Sequence, residues 1–507
     1  MTAPVHTLSA RLVQRIAFAR VDSKRGASTQ TFDAPRNAAH AGGRGAGNWD
    51  RTIKLRKLSL SAACALLAFA APACADPATA ARLRDQALRD DTAWNVLESL
   101  TTEIGPRPAG SPAQARARDW GVAKLTALGF GNVHVEPFAK TAWLRGAEAG
   151  EIVGPEPRKL ALLGLGMSPP TPAGGITAPV VVFGSLAELK TAPKDCCTGK
   201  IVLVNQPMTR TQGGEGYGNG VEPRYAATIA AAHGAVAYLV RSISTSTNRS
   251  PHTGATKAAP GEKTVPSAAI GVPDAEILAH MAARGPVTVH LSLQNTLTDT
   301  TAWTISGDIT GSDPKAGVIV IGGHLDSWDP GTGAIDDGAG IAITVAAAKL
   351  VAQTHPKRTI RVVMWGSEET GGSGAAYLAA HKNDLNSIVI AGESDLGADT
   401  VYSLQLPAGA WSRPDIAPLQ SVLAPLKVIA SPVPATDAGS DVEDIQGAGV
   451  PVLALNQDAS RYFDYHHTAD DTLEIVDRAQ LNQNVAAWAA TLSILADSSA
   501  TFREKKK

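Results

Sequence analysis

Residues 317–340 read GVIVIGGHLDSWDPGTGAIDDGAG. The apolar run of residues 317–322 is short, β-branched and closed by two glycines, which predicts a buried strand. A polar loop follows at once, carrying His324, Asp326, Asp336 and Asp337. Small and apolar residues then continue over 338–353, which predicts a helix. Similar strands are expected at 359–365, 387–392 and 450–455, and similar helices at 372–381, 414–426 and 477–495. Strands alternating with helices imply an α/β fold with a mostly parallel mixed sheet sandwiched between helices. In such a sheet the chemistry belongs in the loops beyond the carboxyl ends of the strands.

Each of those loops carries metal-binding or acid–base residue types. After the first strand come His324, Asp326 and Asp336; after the second, Glu368 and Glu369; after the third, Glu393 and Asp395; near the last, His466 and His467. Histidines and carboxylates brought to one sheet edge suit zinc, which takes nitrogen and oxygen ligands. Without a cation, so many carboxylates would repel one another and take up protons. Taken singly, each feature has a plainer explanation. His324 fits a histidine at a strand end, and Glu368-Glu369 fits an acidic helix start. Asp337 fits a helix cap, compatible with metal binding by Asp336. His466 reads as a neighbour, His252 as a loop residue, and Asp470 and Asp471 as the start of the last helix.

Earlier in the chain, helices are expected over 78–100 and 112–128, separated by the turn GPRPAGS at 105–111, and a strand over 132–141. From about residue 145 the texture changes to short valine-rich runs (178–183, 200–205, 235–241, 287–293) with helices near 225–232 and 273–283. This predicts a separate α/β module inserted in the main domain, which a strand at 300–310 resumes. The expected divisions are 1–75, 76–145, 146–298 for the insert, and 299–507.

Of 507 residues, 44% are hydrophobic and 18% charged, so the chain can build a core. Residues 1–75 hold 11 of the 46 Lys and Arg and 3 of the 47 Asp and Glu, leaving 35 basic against 44 acidic side chains, a charge near −9. That sign argues against nucleic acid or an anionic membrane as partner. The basic cluster Arg51, Lys54, Arg56 and Lys57, the apolar run 58–72 and Ala73-Cys74-Ala75 have the layout of a signal peptide. Export to the periplasm or medium is expected, with a mature start near Asp76 and no membrane span. The first fifty residues do not fit a signal and read as an overextended start or a disordered leader. Two of the four cysteines lie in the expected signal; the others, Cys196 and Cys197, are adjacent, as plain thiols or a vicinal disulfide. The terminal Lys505 to Lys507 run reads as a solvated tail.

HLDSWDPGTGAIDDG (324–338), WGSEETGGSGA (365–375), ESD (393–395) and HHTADDT (466–472) together resemble the signatures of the di-zinc aminopeptidase family, metallopeptidase family twenty-eight. Within it they are most similar to the plasma glutamate carboxypeptidase (carboxypeptidase Q) branch. KIVLVNQP (200–207), AYLVRS (237–242) and SPHTG (250–254) resemble that branch's protease-associated domain. The resemblance, from about residue 80 to 498, implies the zinc exopeptidase fold and two Zn²⁺ ions. It implies Asp336 as the carboxylate bridging metals roughly 3.5 Å apart, reached through a cis peptide to Asp337. His324 and Asp395 would complete one site, Glu369 and His467 the other. Glu368 would be the general base, and Asp326 would orient His324. The implied function is removal of residues from the ends of short peptides or dipeptides. A dipeptidase or carboxypeptidase is the preferred form, an aminopeptidase on longer peptides the alternative. A glutaminyl cyclase would use one zinc, and a non-catalytic binding protein on this fold would have lost ligands, whereas all five positions are filled here. Short peptides are the expected partners, and a homodimer is left open.

Overall fold

A computed structural model of the chain describes residues 76–503. The expected signal peptide and the terminal lysines lie outside the described residues.

The central sheet has five strands, in the order Gly131–Leu144, Thr296–Ile309, Thr359–Trp365, Val318–His324, Ile388–Glu393. Parallel pairing joins the last three, and the first two run antiparallel to their neighbours. The three parallel strands are the ones followed by the chemistry-bearing loops, so those loops leave the same edge. Alternation along the strands fills both faces. Ile319, Ile321, Ile360, Val362 and Met364 pack in one core with the helices Ala339–Ala352 and Arg478–Asp497. Val320, Val363 and Trp365 face the other way, onto Tyr377 of Ser373–His381 and Val442 and Ile445 beside Glu443–Gly447. The helix Ala339–Ala352 is buried almost all round, as its small and β-branched sequence requires.

A second sheet of eight strands is built within residues 148–293. Its parallel centre is Ile176–Phe183, Ile201–Val204, Ala237–Arg241 and Ser267–Ile270, with cores on both faces. The chain leaves the central sheet after Leu144 and re-enters at Thr296, and these two residues pair with each other.

Three expectations change. The helix of 78–100 divides into Pro77–Ala87 and Thr92–Ser99, with Asp91 as the second N-cap. The helix of 414–426 shrinks to Leu419–Leu423 and a 3₁₀ turn, because Pro414, Pro418 and Pro425 each remove a backbone donor. Residues 450–455 touch the central sheet only through a bridge between Val452 and Ala391. The strand proper, Ala454–Gln457, joins Val401–Gln405 in a small three-stranded sheet. Pro451 explains the loss, since it cannot donate to a ladder. None of the described helices is long and apolar enough to cross a membrane.

Candidate metal centre

His324 is the last residue of its strand, and the loop after it turns back so that Asp336 meets it. Two glycines permit this. A Cβ at Gly323 would lie 2.2 Å from Asp337 Oδ2, and one at Gly340 would lie 1.7 Å from the Ser394 carbonyl. Asp337 fills the space they leave. Its Oδ2 accepts from the His324 N–H at 2.9 Å and its Oδ1 from the Gly340 N–H at 3.0 Å, tying strand end to helix start. The Asp336–Asp337 peptide is cis.

Asp336 sits between two clusters. Its Oδ1 lies 3.0 Å from His324 Nε2, which is itself 3.6 Å from Asp395 Oδ1. Its Oδ2 lies 3.1 Å from His467 Nε2, which is 3.0 Å from Glu369 Oε2. The five side chains named for metal binding therefore meet, at 0–16% exposure. His466 comes too: its ring stacks on His467 at 3.5 Å and its Nε2 lies 3.6 Å from Asp336 Oδ2. By proximity alone, Asp336, His466 and His467 form one potential ligand group and His324, Asp336 and Asp395 another. Glu369 Oε2 approaches His467 Nε2 more closely, at 3.0 Å, than His466 Nε2 approaches Asp336 Oδ2, at 3.6 Å.

The donor set fits a cation. Glu369 Oε1 and Asp395 Oδ1 are buried without any hydrogen-bond partner, and burying such oxygens unpaired is costly. Burial, with the neighbouring Asp336 charge, pushes the Glu369 carboxyl up to about 8. Burial also raises Glu368, to about 6, with His324 opposing and Asp395 adding to the rise. His467 is driven to about 10 against its burial, by Glu369 and Asp336. Carboxylates that must take up protons when crowded together are the arrangement a divalent cation relieves.

Asp326 is placed differently from a simple carboxylate–histidine pair. His324 Nδ1 is 2.8 Å from the Asp326 backbone carbonyl and 3.6 Å from its carboxylate, which accepts from the Glu368 N–H at 3.0 Å. Asp326 thus orients His324 through its main chain and fixes the Glu368 backbone through its side chain.

Residues that sequence reading passed over hold the loop. Asp471, expected at a helix start, instead accepts from the Ala334 and Ile335 N–H groups at 2.8 Å each, while Asp477 caps the last helix. Arg107, read only as part of a helix-breaking turn, is fully buried and donates to the carbonyls of Leu325, Thr332 and Gly333. The carbonyl beside His467 comes from the loop between the strands Ala237–Arg241 and Ser267–Ile270 of the second sheet: Thr253 O lies 3.1 Å from its Nδ1. His252, read as a loop residue, is buried, and burial pushes it down to about 3. Beside the cluster opens a cavity of about 760 Å³, whose lining includes Asp336, Glu368, Glu369 and Asp395 together with Tyr217, Arg224, Tyr225 and Lys257.

Comparison with known proteins agrees with this architecture. Residues 304–492 match the model of Peptidase family M28. Carboxypeptidase Q of Mus musculus is 37% identical over 410 residues, 80% of this chain and 85% of that protein. The Homo sapiens protein of the same name is 36% identical over the same shares. Among solved structures, a Peptidase M28 precursor from Shewanella amazonensis superposes with a TM-score of 0.79 at 39% identity, covering 82% of this chain and 96% of that one. A zinc aminopeptidase from Bacillus subtilis shares the fold, with a TM-score of 0.58 at 20% identity over 79% of this chain and 94% of that one. On sequence and fold together, the chain belongs to peptidase family M28 and is a peptidase.

Proposed function

We propose that this peptidase is a zinc-dependent exopeptidase with two co-catalytic zinc positions that share Asp336. The observation that carries the reading is the division of Asp336: each carboxylate oxygen faces its own imidazole and its own second carboxylate. A carboxylate suits the shared position because it has two oxygens to give. His324 and Asp395 complete one position, His467 and Glu369 the other. The zinc aminopeptidase of the same fold supports the choice of metal.

Zinc held there would supply Lewis acidity toward the scissile carbonyl and would lower the proton affinity of water. Glu368 lines the cavity beside the cluster without entering either ligand set. Its carboxylate takes the proton of the attacking water and hands it to the departing amine. Its backbone is pinned by Asp326, so the base keeps its place as charge develops.

The domain divisions expected from sequence are retained in this proposal, with 146–298 as an inserted protease-associated-like domain. The confinement of the eight-stranded sheet to residues 148–293 supports it. Likeness to carboxypeptidase Q favours a dipeptidase or carboxypeptidase over an aminopeptidase on longer peptides. A non-catalytic binding protein is disfavoured because the five proposed ligands and the base all stand at one site. The test is metal analysis of the purified protein beside a dipeptide panel: two zinc ions per chain and terminal cleavage are expected. One ion per chain at saturation would reject the shared-carboxylate reading.

A further inference from the structure

Cys196 and Cys197 stand side by side as free thiols, in the turn at residues 194–199 that leads into the strand Ile201–Val204. Their sulfurs lie 3.0 Å apart, roughly 1 Å beyond the length of a disulfide bond. The two are unequally placed. Cys197 is fully buried and shares a core of the eight-stranded sheet with Leu186, Leu189 and Ala235. Cys196 is only half-buried, so solvent reaches it. Burial, with Cys196 beside it, pushes the Cys197 thiol up to about 12, against an opposing pull from Lys200. The thiolate is the nucleophile in disulfide exchange, and access limits its rate, so the exposed member attacks first.

Hydrogen bonds hold the backbone of the pair. The Cys196 N–H donates to the Pro193 carbonyl and the Cys197 N–H to the His233 carbonyl, each at 3.2 Å. The Lys200 N–H donates to the Cys197 carbonyl at 2.9 Å, and Lys200 Nζ to the Cys196 carbonyl at 2.9 Å. The Gly199 N–H reaches the Gly234 carbonyl at 3.1 Å, which ties this turn to the one before the parallel neighbour Ala237–Arg241. Consecutive Cα atoms are about 3.8 Å apart, closer than the roughly 4.4–6.8 Å that relaxed disulfides span. Joining the two sulfurs therefore works against a backbone that is already fixed, and strained disulfides are the readily reduced ones.

We propose that Cys196 and Cys197 form a reversible redox site, which a low-molecular-weight disulfide closes into a vicinal disulfide and a thiol reopens, and that closing it loosens the eight-stranded sheet. In the exchange, the Cys196 thiolate attacks one sulfur of the small disulfide, whose S–S bond breaks and releases a first thiol. Cys197 then loses its proton and attacks the Cys196 sulfur, releasing the second. Two protein thiols are oxidised, one small disulfide is reduced to two thiols, and the two protons given up by the protein end on them. The segments that reach His467 follow the carboxyl ends of Ile201–Val204 and Ala237–Arg241, whereas this turn precedes the first of those strands. The site is thus separate from the metal centre and does not rest on the function proposed for it.

The test is peptide mapping of the full-length folded protein after equilibration with oxidised glutathione. Trypsin cuts after Lys194 and Lys200 and leaves both cysteines in one peptide, residues 195–200. That peptide should lose the mass of two hydrogens and resist alkylation, and excess reduced glutathione should restore two alkylatable thiols. Cys197→Ala should stop at the mixed disulfide with glutathione, and Cys196→Ser should form neither ring nor adduct. Oxidised wild type should melt a few degrees below the reduced protein, while Cys196→Ser should melt alike in both buffers, which controls for the other cysteines. A peptide that keeps both thiols in oxidised glutathione, or carries glutathione without closing the ring, overturns the site. A ring that excess reduced glutathione leaves closed, or that leaves the melting temperature unchanged, overturns the strain on which the proposal stands.

Discussion

At the scale of single residues, the proposed reading gives two adjacent glutamates different tasks, and their surroundings differ accordingly. Glu369 Oε2 is 3.0 Å from His467 Nε2, the atom that faces Asp336. Glu368 lines the cavity, with its N–H held by Asp326 and its carboxyl beside Ser440. Replacing Glu368 with Gln keeps shape and reach but removes the capacity to accept a proton. Hydrolysis should fall by roughly 10²–10⁴-fold or more with both metals retained. Glu369→Gln should instead lose zinc, because an amide is a poorer ligand than a carboxylate. Metal content and turnover measured on the two variants decide the matter; zinc loss in Glu368→Gln with full zinc in Glu369→Gln would mean the roles are exchanged. The proposed ligand types were legible in the sequence because metal chemistry restricts them to few residues and four of the five stand at or beyond the end of a central-sheet strand, while His467 follows the short helix Tyr462–Tyr465. The partners of the ligands were less legible. Thr253 acts through a carbonyl, which every residue possesses, and Asp326 meets His324 through its main chain.

At the scale of elements, the strands and helices that could be read from pattern are those that pack on both faces. The strand Thr359–Trp365 coincides with its expected bounds because β-branched residues and flanking polar turns leave no alternative register. The helix expected at 414–426 failed where proline chemistry outweighed apolar spacing. Loops are harder still, since what fixes them lies far away in sequence. Residues 331–338 depend on Asp471 and Arg107, more than a hundred positions distant in either direction. Asp471→Ala would strand the Ala334 and Ile335 donors in a buried site, at about 1–3 kcal/mol for each unmet bond. The loop would then no longer hold Asp336 against both histidines. Lower thermal stability and weaker zinc retention are expected together, with Asp471→Asn milder because it keeps an acceptor oxygen. Thermal melts and zinc titrations on both variants check this; full zinc affinity in Asp471→Ala would show that the loop holds its shape by itself.

At the scale of the whole molecule, the site joins parts of the chain that share little else. His324, Asp336, Glu369 and Asp395 lie at or after the ends of central-sheet strands, whereas Thr253 and Arg224 reach His467 from a loop and a 3₁₀ segment that connect strands of the eight-stranded sheet. On the proposed reading, metal bound to the cluster would tie the parts built on the two sheets together through His467, and its free energy of binding would add to the stability of the folded chain. A ligand present at a thousand times its Kd contributes about 4.1 kcal/mol when it does not bind the unfolded chain. For a chain of this size each kcal/mol moves the melting temperature by about 2 °C or somewhat less. Removing zinc with a chelator should accordingly lower Tm by several degrees, and added zinc should restore it. The loss has a second source, because crowded carboxylates left without a cation must take up protons or repel one another. Asp336→Ala separates the two effects. It removes the proposed shared ligand, so its Tm should no longer respond to chelator, yet it also removes one of the repelling charges. Its melting temperature should then lie at or above that of the zinc-free wild type. Calorimetry of four samples, wild type and Asp336→Ala each with and without chelator, gives the comparison. If wild type loses its zinc by metal analysis and melts at an unchanged temperature, the cluster is not the clamp between the two sheets.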